Sequence, residues 1–258
     1  MLIEERLDKI KSLIEANKSA TIEFLSEMLD VSKDTVRRDL IKLEQQNVVR
    51  RTHGGAVSAN REAMILDYEQ RSSRFNRIKE QIAQKAAEIV KDNSSILFDS
   101  STTVEAAIMQ LGNKRMYAIT NSLTHAKLLA KFEKAEITLL PGKLHKNQLF
   151  LYGSETVKKI EQYNTDYTLL GVFALSKDGV FIHTEEEGLV KRQMIAQGHK
   201  VIALADHTKI DTTGFFKVCS LAEIDVLVTD QQPEPLIMDY LSENKVEVIV
   251  ANEQRGEK

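Results

Sequence analysis

The sequence predicts an α/β protein in two parts: a small N-terminal helical unit closed by a short ribbon, and a larger, mostly parallel sheet-and-helix domain. Three observations carry this reading. Residues 1–45 place apolar side chains at helical spacing. A glycine pair, Gly54-Gly55, then interrupts a run rich in valine and arginine, as a turn between two strands does. Beyond residue 78, short apolar runs alternate with amphipathic stretches, which is how buried parallel strands and their covering helices read.

Taken in order, Ile3, Leu7, Ile10 and Leu13/Ile14 share one face of a first helix. A second helix runs from about Ile22 to Leu29 behind Thr21, a side chain suited to capping free backbone N–H groups. Asp30-Val31 turns the chain, and Ser32 caps a third helix with a buried stripe of Val36, Leu40 and Leu43. Val48 to Val57 reads as a two-stranded ribbon turning at the glycine pair. The first domain is therefore placed at 1–57, with its two-helix core at about 20–39. A polar, weakly periodic linker is placed at 58–77, and the second domain at 78–258.

In that second domain, strands are expected at Ile96–Asp99, Met116–Thr120, Ile137–Leu140, Thr168–Phe173, Val201–Ala205, Val226–Thr229 and Val246–Val250. Helices are expected at Ile78–Val90, Val104–Leu111, Leu123–Phe132, Ser154–Tyr163, Glu186–Gln197 and Leu236–Ser242. Together they predict an open parallel sheet with helices on its faces.

Composition narrows the function classes. Net charge of -3 gives no global attraction to nucleic acid, so any basic surface is local. The single cysteine, Cys219, has no internal partner and reads as a small buried residue, which suits a reducing compartment and a cytoplasmic location. No apolar run is long enough to cross a bilayer, so no membrane partner is expected. The six histidines are scattered without metal-ligand spacing, and no glycine-rich nucleotide fingerprint occurs; neither metal nor cofactor is expected.

The local basic surface lies in the first domain. From Val31 to Gly55 there are six Lys/Arg (Lys33, Arg37, Arg38, Lys42, Arg50, Arg51) against three Asp/Glu, a surplus of three. A second short helix held steeply to a first is the element that enters a DNA major groove. Arginine reads guanine through two hydrogen bonds, lysine neutralises phosphate, threonine serves phosphate or a thymine methyl, and a capped helix N-terminus favours phosphate. On these grounds Ser32, Lys33, Thr35, Arg37 and Arg38 are candidate contacts to a double-stranded DNA operator. Arg50, Arg51 and His53 of the ribbon are candidates along the backbone or minor groove. A solvated helix with an ordinary arginine pair is the alternative for Arg37-Arg38 alone.

Thr35-Val36-Arg37-Arg38-Asp39-Leu40, Leu43-Glu44 and His53-Gly54-Gly55-Ala56, with Glu5-Arg6 and Val31-Ser32, resemble the DNA-binding domain of the DeoR family of transcriptional regulators. The resemblance implies a winged helix-turn-helix, operator binding as an oligomer, and usually repression of sugar-use genes; a homodimer or homotetramer is expected because symmetric copies bind two half-sites.

In the second domain, polar residues cluster where strands end: Asp99-Ser100-Ser101-Thr102-Thr103, Thr120-Asn121-Ser122, Pro141-Gly142 and Asp206-His207-Thr208-Lys209. Open α/β sheets bind ligands in the crevice outside those ends. The hydroxyl-rich loop at a helix start suits phosphate. Lys191 and Lys209 are candidate counter-charges, and Asp99, Glu187 and Asp206 candidate acceptors for sugar hydroxyls. Capping and turn roles for the same side chains are the alternative.

The family resemblance extends here and implies a sensor domain related to sugar-phosphate isomerases with a phosphorylated sugar effector. It assigns effector-binding roles to Asp99, Ser101, Thr102, Thr103, Thr120, Asn121, Gly142, Glu187, Lys191, Asp206 and Lys209. Two positions depart from the family pattern: Ser101 and Lys143 stand where glycine is usual. A Cβ at Ser101 either obstructs the approach of phosphate or its hydroxyl adds a donor. A sugar-phosphate isomerase-like enzyme with an accessory DNA-binding domain is the rival expectation; no catalytic residue is assigned.

Overall fold

The computed structural model describes residues 3–17, 19–46, 48–52, 54–58, 76–112 and 114–251, and divides into two units, Met1–Leu66 and Asp67–Lys258. The first contains helix α1 (Ile3–Asn17), strand β1 (Ser19–Thr21), helices α2 (Ile22–Leu29) and α3 (Lys33–Gln45), and strands β2 (Val49–Thr52) and β3 (Gly55–Ser58). Both expected caps form: Phe24 N donates to Thr21 Oγ1 at 3.1 Å and Thr35 N to Ser32 Oγ at 3.2 Å. Asp30 ends α2 in the left-handed region (φ 52°), turning the chain into α3. Ile10, Ile14, Leu25, Val36, Leu40, Leu43 and Val49 form the buried core, each worth roughly 1.5–3 kcal/mol when fully removed from water.

The ribbon is a three-stranded sheet rather than two, in the order β1-β3-β2. Ala20 pairs with Ala56, and Thr21 with Gly55. A Cβ on Gly55 would overlap the backbone of Ala20, so the glycine is fixed by this close approach. β1 escapes a sequence reading because Ser-Ala-Thr lacks both length and alternation.

Of the expected linker, residues 59–75 lie outside the described residues; Ser58 ends β3, and Asn76 and Arg77 already belong to a helix. The second unit begins with that helix, α4 (Asn76–Ile89), followed by β4 (Ser94–Phe98), α5 (Thr102–Leu111), β5 (Met116–Thr120), α6 (Leu123–Leu129) and β6 (Ala135–Leu139). A hairpin of β7 (Lys143–His145) and β8 (Phe150–Tyr152) leads to α7 (Ser154–Ile160) and β9 (Thr165–Gly171). Then come β10 (Ala174–Ser176), β11 (Gly179–Ile182), α8 (Glu185–Gln197), β12 (Gly198–Ala205), β13 (Phe216–Cys219), β14 (Val226–Thr229), α9 (Pro235–Glu243) and β15 (Glu247–Val250).

Seven strands among the described residues form a sheet in the order β15-β14-β12-β9-β4-β5-β6, parallel throughout. All seven expected strands are present. The expected Thr168–Phe173 strand starts earlier and ends at Gly171, and α6 stops at Leu129 instead of Phe132. Alternation along β4 divides the core: Ile96 and Phe98 pack with Ile82, Val104 and Ile108, whereas Leu97 packs with Ile160, Val190 and Met194. Helices therefore cover both faces, as a parallel sheet requires.

The small strands β7, β8, β10, β11 and β13 were not expected; they are three- and four-residue segments, too short for a period to register. Cys219 ends β13, is buried as expected, and its thiol is pushed up to about 12, chiefly by burial, so it stays protonated.

Candidate functional site

In the first unit, burial of Val36, Leu40 and Leu43 turns Arg37, Arg38 and Lys42 outward on α3. Thr35 is half-buried, its hydroxyl 2.9 Å from that of Ser32. Two outward cations have acidic neighbours: Lys33 Nζ donates to Glu23 Oε1 at 2.7 Å, and Arg37 to Asp34 Oδ1 at 2.6 Å. The hydrogen bond from Lys33 is the main reason the Glu23 carboxyl is held below its ordinary value. Exposed pairs of this kind are worth little. Arg38 is exposed and makes no ion pair among the described residues. The backbones of Arg50 and Arg51 lie in β2, opposite Val57 and Ala56. Their side chains, and all of His53, lie outside the described residues.

In the second unit the chain builds outward from β4 through β5 to β6, then returns to the other side of β4 with β9. The order therefore reverses between β4 and β9, and at such a point the strand ends open a crevice. Asp99 follows β4 and Gly171 ends β9, and they meet there. Gly171 N donates to Asp99 Oδ2 at 2.8 Å, and Ser101 N donates to Asp99 Oδ1 at 2.9 Å. Lys191, reaching from α8, donates to Asp99 Oδ2 and to Gly171 O at 3.1 Å. Glu187, one helical turn earlier, lies 3.8 Å from the Lys191 ammonium and 3.8 Å from His183 Nε2. Lys191, expected as a counter-charge for phosphate, is thus already paired in a buried site.

Ser101 has an extended backbone (φ -81°, ψ 150°), so its departure from glycine strains nothing. Its hydroxyl oxygen accepts from Val104 N at 3.2 Å and caps α5. The space beside it is provided by Gly171, where a Cβ would overlap Ser101 Oγ and Cβ. Thr102 is buried and Thr103 half-buried in the same first turn.

A second group gathers at the end of β5. Thr120 Oγ1 accepts from Ser122 N at 3.1 Å, and Asn121 Nδ2 donates to Leu151 O at 2.8 Å. Asn121 Oδ1 is buried without a hydrogen-bond partner among the described residues. Gly142 (φ 145°) permits the turn into β7, and a Cβ there would overlap Thr156 Oγ1. The hairpin β7–β8 that supports this group went unnoticed in the sequence.

The third group follows β12, the neighbour of β9. Asp206 Oδ1 accepts from Thr208 N at 3.0 Å and from the Thr208 hydroxyl, forming a short turn that carries Lys209. Lys209 is half-buried and makes no ion pair among the described residues. Asp230, after β14, accepts from His207 N at 2.7 Å and lies 2.7 Å from His207 Nδ1. Sequence spacing offers no signal for that contact. Direct bonds thus join Asp99, Ser101, Gly171 and Lys191, with Glu187 alongside; the Asn121 and Asp206 groups occupy the same end of the sheet.

A winged helix-turn-helix with an outward basic helix, together with a parallel α/β unit with polar residues at its strand ends, defines a DNA-binding transcriptional regulator with a sensor domain. Residues 6–62 match the DeoR-like helix-turn-helix domain, and residues 75–231 match the DeoR C terminal sensor domain. The chain is 41% identical to the HTH-type transcriptional repressor GlcR of Bacillus subtilis, covering 99% of both. It is 33% identical to the Glycerol-3-phosphate regulon repressor of Haemophilus influenzae, covering 96% of both. The chain belongs to the DeoR family. Among solved structures, ribose 5 phosphate isomerase A from Neisseria gonorrhoeae overlaps 54% of each chain at 18% identity and a TM-score of 0.39. An overlap of that size carries nothing about chemistry.

Proposed function

We propose that this protein represses a sugar-utilisation operon, and that a phosphorylated sugar bound at the strand ends of the second unit controls its hold on the operator. The carrying observation is the pairing of an outward basic helix with a separate crevice that contains a buried acceptor, Asn121 Oδ1, and a half-buried cation, Lys209, neither with a partner among the described residues. The name of the Haemophilus relative, a glycerol-3-phosphate regulon repressor, supports a phosphorylated effector.

Ser32, Lys33, Thr35, Arg37 and Arg38 serve as operator contacts, with Arg50, Arg51 and His53 on the ribbon. Lys209, Thr102 and Thr103 hold the phosphoryl group, and Asn121, Glu187 and Asp206 take sugar hydroxyls. Asp99, Lys191, Ser101, Thr120 and Gly142 shape the crevice from behind.

Both carboxylate oxygens of Asp99 are engaged by two backbone N–H groups and a lysine ammonium, which tie the side chain into the fold and away from a substrate proton. That favours a sensor over the isomerase-like rival. The proposed division is 1–57 for DNA, 58–77 as linker and 78–258 for the effector. No helix among the described residues is long and apolar enough to cross a membrane, in keeping with a cytoplasmic regulator. A homodimer or homotetramer fits the symmetry of two half-sites.

Thermal denaturation with a panel of sugar phosphates tests the reading. One phosphorylated sugar raises the unfolding temperature through mass action, its unphosphorylated parent does not, and Lys209→Ala abolishes the rise. If no member of the panel shifts the transition, the effector assignment fails.

A further inference from the structure

The sequence singles out Glu5-Arg6 in α1 and Asp39 in α3, yet neither finds a place among the outward DNA-facing residues. Asp39 is an acid in the one helix that has to approach phosphate. It is 2% exposed, and its carboxylate receives two bonds from the Arg6 guanidinium: Nε to Oδ2 at 2.6 Å and Nη2 to Oδ1 at 3.2 Å. The Arg6 side chain is itself only 12% exposed. The hydrogen bond to Asp39 is the main reason the Arg6 guanidinium is raised above its ordinary value.

Position on the helix gives this pair a consequence beyond cohesion. At about 100° per residue, Asp39 falls on the shoulder between the buried stripe of Val36, Leu40 and Leu43 and the outward side that holds Thr35, Arg38 and Lys42. Apolar contacts are non-directional and resist a roll of α3 about its own axis only through steric fit. A fork of two charge-assisted bonds is directional. With side chains reaching ~5–6 Å from the axis, a roll of ~10° displaces their tips by about 1 Å, beyond the tolerance of a well-built recognition site.

We propose that the bidentate Arg6–Asp39 pair is a clamp that fixes the roll of α3 against α1 and so sets base-sequence discrimination, making Arg6 and Asp39 positioning residues for operator recognition. This rests on the reading of α3 as the recognition helix. The clamp also accounts for an acid in a DNA-facing helix: its charge is cancelled within the fold and presents no repulsion to phosphate.

The test uses the full chain and two duplexes: one enriched by the wild-type protein from a random-sequence library, and one with that sequence scrambled. The variant Arg6→Met/Asp39→Leu leaves net charge unchanged and replaces a buried ion pair by apolar groups, a change that is often neutral or stabilising. Its affinity for the scrambled duplex should stay within about threefold of wild type, because that binding is electrostatic. Its preference for the enriched duplex should fall at least about tenfold, the scale of one misread base pair.

Arg6→Lys keeps the charge but loses the fork; it should lose discrimination to a smaller degree, and it decides the matter if the double variant does not fold. Wild-type discrimination in every folded variant of the pair overturns the clamp. Arg38→Ala runs in parallel as the control on the underlying reading. If it discriminates as wild type does, the recognition-helix assignment falls and the clamp with it. If Arg38→Ala loses discrimination while the pair variants keep it, the clamp alone falls.

Discussion

The crevice depends on a buried ion pair whose two halves are unequally supported, and this inequality predicts an order of stabilities. Asp99 and Lys191 have side chains only 1% and 5% exposed. Removing one partner of such a pair typically costs about 3–5 kcal/mol, because the other is left charged out of water. Lys191→Met leaves Asp99 still accepting from Ser101 N and Gly171 N, at 2.9 and 2.8 Å. That places its cost near the lower end, about 3 kcal/mol. Asp99→Ala strands the ammonium with only Gly171 O at 3.1 Å and Glu187 at 3.8 Å, and deprives two N–H groups of their acceptor. Its cost lies at the upper end, about 5 kcal/mol.

For a unit of this size, each 1 kcal/mol moves the melting temperature by about 2–4 °C. Lys191→Met should therefore lower the second unit's transition by roughly 6–12 °C and Asp99→Ala by roughly 10–20 °C. Calorimetry of the full chain, with urea unfolding followed by circular dichroism, reads both. A Lys191→Met protein within about 1 kcal/mol of wild type, or one less stable than Asp99→Ala, would refute the argued geometry.

Two further outcomes follow from the same region. Gly171→Ala drives a Cβ into Ser101 and should destabilise by about 1–3 kcal/mol, as overpacking does; adding Ser101→Gly should recover much of that in a double-mutant cycle, and strict additivity would deny the contact. Burial pushes the Glu105 carboxyl on α5 above its ordinary value, and a Thr124 hydrogen bond only partly offsets this. The folded chain thus holds this proton more strongly than the unfolded one, so stability falls as pH rises from the ordinary carboxylate value through the folded one. Glu105→Gln should flatten that decline in urea midpoints measured across the range; an unchanged slope would place its origin elsewhere.

What the sequence made legible follows the physics of local signals. Ser32 and Thr21 were readable as caps because capping is decided within three residues; Gly54-Gly55 was readable as a break between strands, whereas the reason for Gly55, the approach of Ala20, was not. The parallel sheet was readable because β4, β5, β9 and β12 are apolar runs with helices between them, and β14 is a further apolar run. Contacts between distant residues were not. Lys191 finds Asp99 across 92 positions, and Arg6 finds Asp39 across 33. No periodicity encodes such meetings. Lys191 consequently reads as a counter-charge for a ligand, whereas it already holds two strand ends together. Ser101 reads as a lost glycine, whereas the glycine that makes room lies at position 171.

The central claim, that a ligand in the second unit governs DNA binding by the first, is tested most directly by fluorescence anisotropy. The full chain is titrated onto the duplex it enriches, with and without each sugar phosphate of the panel. One phosphorylated sugar should change the wild-type dissociation constant by about 5–150-fold, the usual span of coupling between sites. Lys209→Ala should bind the duplex normally and lose that response. A wild-type protein that binds the duplex identically in the presence of every sugar phosphate would contradict the account.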